Sequence, residues 1–300
     1  MVSSSFTSVG LCGMIDVERQ GMCMNQRIAM LEETLSILAQ EQVKGLDEAK
    51  VFLPDDLERM ERMIGKRAHE RAVCRYDCVN MDAFALARRL RQAYPQEKIL
   101  VLNLANPFEP GGGVRRGARA QEEDLCLNSS LLLSLESKAA HRYYAYHCGL
   151  RSPFSSDAMI LTPKVQIIRD ADGSLLQERA MVSVLTCAAP MAQYGLGDLT
   201  QAEYAEMVSQ RIHRMLLCAA YHGYVVLVLG AFGCGAFGND AQLIAALFER
   251  EIRLFQAGGS VDDHFAQISF AVLDRSPDQY NFRAFSRYFA QSDREGGGRR

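Results

Sequence analysis

The sequence predicts an α/β fold in which a mixed, mostly parallel central sheet is sandwiched by helices. Strand-like apolar runs alternate with helical patterns along most of the chain, which is typical of βαβ units. The run at 99–102 is continuously apolar, as in strands that are covered on both faces. The 300 residues, 48% of them hydrophobic and 23% charged, can bury a sizeable core without disulfides.

The first 70 residues are predicted to form a flexible N-terminus and a helical extension ahead of the sheet. Ile28, Leu31, Leu35 and Leu38 recur at helical spacing, and a second helix follows Pro54. We therefore predict helices over 25–42 and 55–70. A main domain is expected over 71–290, and a disordered tail, which ends in EGGGRR, over 291–300.

The main domain alternates strands and helices. Apolar runs predict the strands, while helical periodicity and capping residues such as Thr200 predict the helices. The predicted strands cover 72–79, 98–105, 159–161, 165–169, 180–187, 224–229 and 267–273. The predicted helices cover 82–93, 121–137, 138–146 (as a continuation or a new helix), 200–221, 240–256 and 278–289.

Charge and cysteine usage exclude several function classes. The net charge of −3 provides no global basic field for nucleic acid. The nine cysteines are odd in number and scattered, which indicates reduced thiols in a cytosolic protein without a cysteine zinc site. There is no secretory signal and no apolar run near the ~20 residues of a membrane span. We predict a cytoplasmic protein with no metal, no cofactor, no membrane contact and no sequence-specific nucleic acid.

Two motifs share the first candidate ligand loop. Gly-Gly-Gly at 111–113 follows the predicted strand 98–105, and Gln-Glu-Glu at 121–123 opens the next helix. Glycines permit positive φ and let consecutive N–H groups converge on an oxyanion or hydroxyl. The structural alternatives are a flexible connector and ordinary acidic residues in a first helical turn. Neighbouring helix residues diverge by about 100°, so one carboxylate should face the substrate while the other holds a hydroxyl or packs elsewhere, unlike paired glycosidase carboxylates.

The second candidate ligand loop has four glycines in nine positions, at 230–238, between a strand and a helix. Backbone amides beside a helix N-terminus suit a diphosphate. The loop lacks the Lys-Ser or Lys-Thr of a P-loop and lies too late for a dinucleotide fingerprint. Phe232 and Phe237 are either core residues or, because glycines flank them, stacking partners for a base or ribose. Ligands bind at the carboxyl ends of parallel strands, so both loops should face one site.

The spacing of these motifs resembles a known family. Gly-Gly-Gly, seven residues and Gln-Glu-Glu is similar to the signature of the poly(ADP-ribose) glycohydrolases, and GAFGCGAFGND resembles their diphosphate loop in the macrodomain fold. The resemblance covers roughly 25–290, and the N-terminal helices resemble the extension of microbial-type members. It implies a macrodomain-like fold and hydrolysis of the ribose–ribose O-glycosidic bonds of poly(ADP-ribose).

The resemblance also implies roles for individual residues. Glu123 would be the acid/base, partly withdrawn from water so that it holds a proton more readily. Glu122 and Asn106 would bind the distal ribose, Phe237 would pack over the ligand, and Asp82 would meet the adenine amine. The other implied contacts to the ribose and phosphates come from Gly111, Gly112, Gly113, Val114, Gln121, Gly233, Cys234, Gly235, Ala236 and Gly238.

Several functional questions stay open at the level of sequence. The resemblance does not extend to the accessory domain and tyrosine-bearing insert of animal members, which favours cleavage from chain ends and release of ADP-ribose. Hydrolysis of single ADP-ribose marks on proteins, or binding without catalysis, are the alternatives, and the intact Gln-Glu-Glu speaks against the latter. Asn103 departs from the Asp or other residue that family members often have there. Arg115, Arg116 and Arg119 form a solvated loop or attract the polyanionic polymer.

Overall fold

The computed structural model describes residues 22–43, 48–63, 74–257 and 264–290. The strands are Lys50–Phe52 (β1), Arg75–Val79 (β2), Ile99–Leu104 (β3), Met159–Arg169 (β4), Leu175–Cys187 (β5), Val226–Leu229 (β6) and Gln267–Ala271 (β7). The helices are Met24–Gln40 (α1), Pro54–Met63 (α2), Ala83–Ala93 (α3), Gln121–Leu127 (α4), Leu131–Leu135 (α5), His141–Leu150 (α6), Gln201–Tyr221 (α7), Ala241–Ala257 (α8) and Tyr280–Phe289 (α9).

The strands of the described ranges form one sheet in the order β1-β4-β5-β3-β6-β7-β2. Strands β5, β3, β6, β7 and β2 are parallel to one another. Strand β4 runs antiparallel to both of its neighbours, β1 and β5. The sheet is therefore mixed but mostly parallel, and it brings the carboxyl ends of five strands to one edge.

Helices cover both faces of this sheet. Alternate residues of β3 point to opposite sides, so that Ile99 and Val101 pack with α1 and α3 to α6. On the other side Leu100 and Leu102 pack with α2, α7, α8 and α9. The predicted fold class is confirmed, and the unbroken apolar run at 99–102 reflects burial on both faces.

The helix predicted over 121–137 is wrong in one respect, because it breaks at 128–130. The carbonyl of Asn128 accepts hydrogen bonds from the amides of Ile168 and Arg169 in β4. Ser129 forms a bridge with Ile167 and donates its hydroxyl to the Leu125 carbonyl at 2.7 Å. The chain here pairs with a strand, so the carbonyl groups cannot continue a helical ladder, and two short helices replace one long helix.

The other differences lie in the antiparallel part of the sheet. The two short strands predicted over 159–169 are one strand, β4, with a register irregularity between Thr162 and Val165. Lys164 has φ +57° at this point, so the strand bulges rather than ends. The three-residue strand β1 was not predicted because its pattern is too short to recognise.

Several expectations fall wholly or partly outside the described residues. These are most of the flexible segment 1–24, the end of the helix over 55–70, the start of the strand over 72–79, and the tail 291–300. The eight cysteines of the described ranges are free thiols. Among the helices described, none combines the length and apolar character that a bilayer span requires.

Candidate active site

Three loops follow adjacent strands at the carboxyl edge of the sheet. Strand β3 lies between β5 and β6 and is parallel to both, so the chain leaves all three strands on the same side. We call residues 105–120 the triglycine loop, 188–200 the bridging segment and 230–240 the late glycine loop. A Cβ atom at Gly230 would lie 3.6 Å from Cδ1 of Leu104. The two glycine-rich loops therefore begin side by side at this edge, as the prediction from the parallel strands requires.

The triglycine loop is shaped at its start by Asn106. The side-chain oxygen of Asn106 accepts hydrogen bonds from the amides of Phe108 at 2.8 Å and Glu109 at 3.0 Å. This local turn is one that asparagine favours. The carbonyl of Glu109 in turn accepts the amide of Gly112 at 3.0 Å. The Nδ2 group of Asn106 has no acceptor within the described ranges and remains available to a ligand.

The glycines of this loop are required by space as well as by conformation. Gly111 and Gly112 have φ values of +68° and +57°, in the left-handed region that favours glycine. A Cβ atom at Gly112 would lie only 2.5 Å from Oε1 of Glu123 and 3.1 Å from Oε2 of Glu122. The amide of Gly113 donates to Oε1 of Glu123 at 2.8 Å. The loop therefore lies directly against the two acidic side chains.

Helix α4 presents these carboxylates because Gln121 fixes its first turn to β3. The Gln121 amide donates to the Leu102 carbonyl at 2.7 Å, and its oxygen accepts from the Leu104 amide at 2.9 Å. Strand β6 pairs with β3 only as far as Val101. Gln121 thus takes over the hydrogen bonds that a longer neighbouring strand would supply, and its side chain is engaged with the backbone.

Glu122 is buried in a polar pocket of its own. Its side chain accepts from the Asn106 amide at 2.6 Å and from Nδ2 of Asn103 at 3.1 Å. Burial raises the pKa of Glu122 to about 8, while the hydrogen bonds from Asn106 and Asn103 oppose the shift. Asn103, which the resemblance left as a departure, therefore holds Glu122.

Glu122 and Glu123 converge although their side chains start in different directions on the helix. Both reach Gly112, and both are more than nine-tenths buried, with exposures of 3% and 8%. Glu122 accepts from Asn103 in β3 and from Asn106 at the start of the triglycine loop, whereas Glu123 accepts from Gly113 further along that loop. Only Glu122 is also held by a side chain of the sheet, that of Asn103.

Helix α1 supports α4 from outside. Arg27, which is 5% exposed, forms an ion pair with Asp124 at 2.7 Å and donates to the Ala118 carbonyl at 3.1 Å. At the other end of α4, the Thr34 hydroxyl donates to the Leu127 carbonyl at 2.9 Å. The helical extension is therefore part of the support of the site, which the sequence patterns did not indicate.

The late glycine loop is closed at its base. The Gly233 carbonyl accepts from the backbone amide of Asn239 at 3.0 Å and from its Nδ2 at 3.1 Å. Gly235 and Ala236 are exposed. The amides of Gly235, Ala236 and Phe237 have no acceptor in the part of the chain that the structure describes. Three backbone donors in a row are suited to an anionic ligand.

The two aromatic residues of this loop differ in environment. Phe232 is fully buried in the core, whereas Phe237 is half-buried and packs at the margin of the core. Between them, burial raises the pKa of the Cys234 thiol, which keeps it protonated and disfavours a nucleophilic role. The core interpretation therefore holds for Phe232, whereas Phe237 keeps part of its ring exposed.

The bridging segment contacts the late glycine loop, which the sequence did not reveal. Ala192 and Gln193 donate their amides to the Phe237 carbonyl at 2.8 and 3.0 Å. Tyr194, the next residue, is 81% exposed. The only signal in the sequence was a polar, glycine-containing loop after a buried strand, and the contact with Phe237 is not local.

The remaining predicted residues are engaged in structural contacts. The Asp82 carboxylate caps α3 by accepting the amides of Phe84 and Ala85, and burial raises its pKa. Val114 is buried in the core. Arg115 forms a bidentate pair with Glu136, and Arg116 with Glu109. In the basic cluster these two arginines are thus already neutralised by neighbouring acids. Among the described residues, no group of three or more His, Cys, Asp or Glu side chains can hold a metal.

Comparison with known proteins relates this geometry to one family. The family described as "Microbial-type PARG, catalytic domain" matches residues 28–170. The chain is similar to poly(ADP-ribose) glycohydrolase from Thermomonospora curvata, with 33% identity and a TM-score of 0.80 over 88% of this chain and 100% of that one. The same protein bound to the inhibitor ADP-HPD gives 32% identity and a TM-score of 0.76 over the same shares. The Deinococcus radiodurans enzyme in complex with ADP-ribose gives 32% and 0.72, over 82% and 97%. No curated protein matches the chain.

Proposed function

This chain belongs to the microbial-type poly(ADP-ribose) glycohydrolases and hydrolyses poly(ADP-ribose), and from that premise we propose how its site performs the reaction. Glu123 is the single acid/base of the reaction. The observation that carries this assignment is the hydrogen bond from the Gly113 amide to Oε1 of Glu123, because it holds one buried carboxylate against the loop that would bind the distal ribose.

The proposed reaction has two steps. Glu123 donates its proton to the glycosidic oxygen while the bond from that oxygen to the anomeric carbon of the distal ribose breaks, and the rest of the polymer leaves as an alcohol. The positive charge that develops on the sugar is stabilised by the nearby diphosphate. The Glu123 carboxylate then takes a proton from water, and the water oxygen bonds to the anomeric carbon. The acid is regenerated, and ADP-ribose is released.

The distal ribose is proposed to lie between the triglycine loop and the start of α4. The Asn106 Nδ2 group and the Glu122 carboxyl provide hydrogen-bonding groups for ribose hydroxyls. Gly111, Gly112 and Gly113 expose backbone, so that the sugar can approach closely. The relative bound to ADP-ribose and the relative bound to ADP-HPD support an ADP-ribose unit as the ligand.

The diphosphate is proposed to bind the late glycine loop. The free amides of Gly235, Ala236 and Phe237 would donate to phosphate oxygens, and the N-terminus of α8 would add a favourable dipole. Phe237 would pack over the ligand. Gly233, Cys234 and Gly238 would contribute loop shape and backbone contacts.

The structure changes the roles that we propose for two of the predicted ligand contacts, because both side chains already make hydrogen bonds within the protein. Gln121 would act by orienting α4, because its side-chain amide is engaged with β3. The Asp82 carboxylate already accepts two amides at the start of α3. It would bind the adenine amine only through hydrogen-bonding positions that this cap does not use. From the resemblance and the free cysteines, we also propose that the protein is cytoplasmic and that its fold is a macrodomain. We propose that its polymer substrate is carried by modified proteins.

Cleavage from chain ends is the proposed mode of action. A side-by-side assay tests it with purified poly(ADP-ribose) of defined length and with protein that carries single ADP-ribose marks. The proposal expects free ADP-ribose as the first product, slow shortening of long chains and no release from the mono-modified protein. Early appearance of intermediate-length oligomers would contradict the exo mode. Rapid release from the mono-modified protein would favour the alternative hydrolase function.

A further inference from the structure

Both polar atoms of the Asn239 side-chain amide are engaged in hydrogen bonds. Its Nδ2 group donates to the carbonyls of Pro190 at 2.9 Å and Gly233 at 3.1 Å. Its oxygen accepts from the hydroxyl of Tyr204. The side chain is 6% exposed, so these bonds are shielded from water. A buried amide with such a full set of partners specifies one local arrangement.

These bonds hold the two ends of the late glycine loop together. The Gly233 carbonyl receives both the backbone and the side-chain N–H groups of Asn239, which closes residues 234–238 into a ring. Gly233 has φ +74°, and a Cβ atom there would collide with the Asn239 amide and with Ala189. The position of the Asn239 side chain therefore requires a glycine at 233, and the ring of residues between them carries the free amides.

The same side chain joins the loop to two other elements. Through Pro190 it holds the bridging segment, which in turn donates two amides to the Phe237 carbonyl. Through Tyr204 it reaches α7, whose start is fixed by a capping box at Thr200. The bridging segment is itself anchored by Arg211, which donates to the Ala188 carbonyl at 2.8 Å. The loop is thus fixed to the body of the protein from two sides.

Hydrogen bonds that fix this loop before the ligand binds should increase affinity, because the loop is rich in glycine. Four glycines in nine positions give the unfolded loop many accessible conformations, and ordering it costs entropy for each residue. If the loop were not ordered before binding, part of the binding free energy would be spent on ordering it, and the affinity for the ligand would fall. The polar side-chain atoms of Asn239 are engaged with Pro190, Gly233 and Tyr204, so we assign it no contact with the ligand.

We propose that Asn239, with Tyr204, is a positioning residue that preorganises the late glycine loop for the diphosphate of ADP-ribose. This inference rests on the proposed function, in which that loop binds the diphosphate. It assigns to Asn239 no contact with the reacting atoms. Its loss therefore weakens ground-state and transition-state binding equally, raises KM and leaves kcat nearly unchanged.

The test compares Asn239→Ala, Tyr204→Phe and a matched control, Asn80→Ala. Asn80 also bridges two loops through its amide, at the ends of β2 and β7, but it lies outside the late glycine loop. Calorimetry with ADP-ribose is expected to give a Kd about tenfold higher for Asn239→Ala and about threefold higher for Tyr204→Phe. Asn80→Ala should lower the melting temperature without changing the Kd. In polymer hydrolysis, Asn239→Ala should raise KM by a similar factor while kcat stays within about twofold.

Four results would separate the possible failures. Wild-type protein that does not bind ADP-ribose would overturn the proposed function itself. If the wild type binds and Asn239→Ala has an unchanged Kd, only the positioning role of Asn239 is overturned. A fall in kcat at constant KM for this variant would overturn the same role. If Asn239→Ala does not fold, Tyr204→Phe decides, because an unchanged Kd for that milder variant contradicts the role of the pair.

Discussion

The amide of Gly113 donates a 2.8 Å hydrogen bond to Oε1 of Glu123. This contact connects the loop after β3 with the first turn of α4, so that one buried acid is held where backbone is exposed to a ligand. Because a Cβ atom at Gly112 would lie 2.5 Å from the same oxygen, the acid and the glycines form one unit.

Gly112→Ala should abolish most turnover. The new Cβ atom would displace the Glu123 carboxylate, and alanine at φ +57° is strained. A displacement of about 1 Å can reduce a rate by about a hundredfold. We expect kcat to fall by at least that factor in polymer hydrolysis. Gly149→Ala is the control, because a Cβ atom there meets nothing within 4 Å in α6, and its activity should be that of the wild type. Equal activity of both variants would contradict the contact.

Phe237→Ala should weaken the binding of ADP-ribose. The ring is half-buried beside the free amides, and loss of a stacked aromatic costs on the order of 1–3 kcal/mol. Calorimetry should therefore give a Kd at least about fivefold higher. Phe237→Leu, which retains apolar volume, separates stacking from packing and should give an intermediate Kd. An unchanged Kd for the alanine variant would return Phe237 to a core role.

Glu122→Gln should change how stability depends on pH. The pKa of Glu122 is raised to about 8 by burial, so the folded protein retains a proton that the unfolded chain loses above about 4.5. The stability from this group is complete below that value and is lost as the pH rises towards 8. Burial lowers the pKa of His147 to about 4, which gives the opposite slope below about 6.5.

The window from pH 6.5 to 8 is therefore the informative one for Glu122. Urea unfolding of the wild type should show a free energy of unfolding that falls by up to about 1.4 kcal/mol per pH unit relative to Glu122→Gln. The difference between the two proteins removes the contribution of His147 and of Asp82, whose pKa is also raised by burial. Parallel curves for the two proteins in this window would show that Glu122 does not retain the proton.

Arg27→Ala should weaken the support of α4. The Arg27 side chain is 6% exposed and that of its partner Asp124 is 24% exposed, so the pair is shielded but not fully dry. Loss of the arginine should cost about 1–3 kcal/mol in the free energy of unfolding and lower kcat several-fold because Glu123 lies on the same helix. Arg59→Ala, at an exposed pair, is the control and should change both by little. A kcat equal to the wild type would remove α1 from the support of the site.

Local patterns in the sequence predicted much of the fold and the neighbourhood of the site. The apolar run at 99–102 identified the central strand, and the rule for parallel sheets placed both glycine loops at one edge. The break between α4 and α5 was not predictable, because the pairing of Ser129 with Ile167 joins residues far apart in sequence. The same holds for Arg27 and Asp124.

The site shows the same limit at the level of single residues. The Gly-Gly-Gly and Gln-Glu-Glu motifs were visible because their spacing is local. Asn239 and the bridging segment were missed because their contacts, with Pro190 and Phe237, depend on tertiary structure. The asparagine that ends a run of glycines was the one signal available, since only a side-chain amide both accepts and donates in the way the loop base requires.

The central claim, that Glu123 is the acid/base, is tested most directly by Glu123→Gln. Hydrolysis of poly(ADP-ribose) and binding of ADP-ribose should be measured on the same preparation. We expect ADP-ribose affinity within about threefold of the wild type and a kcat lower by at least about a hundredfold, because the amide keeps the shape of the side chain but cannot transfer the proton. Release of ADP-ribose from the polymer at the wild-type rate would contradict the assignment.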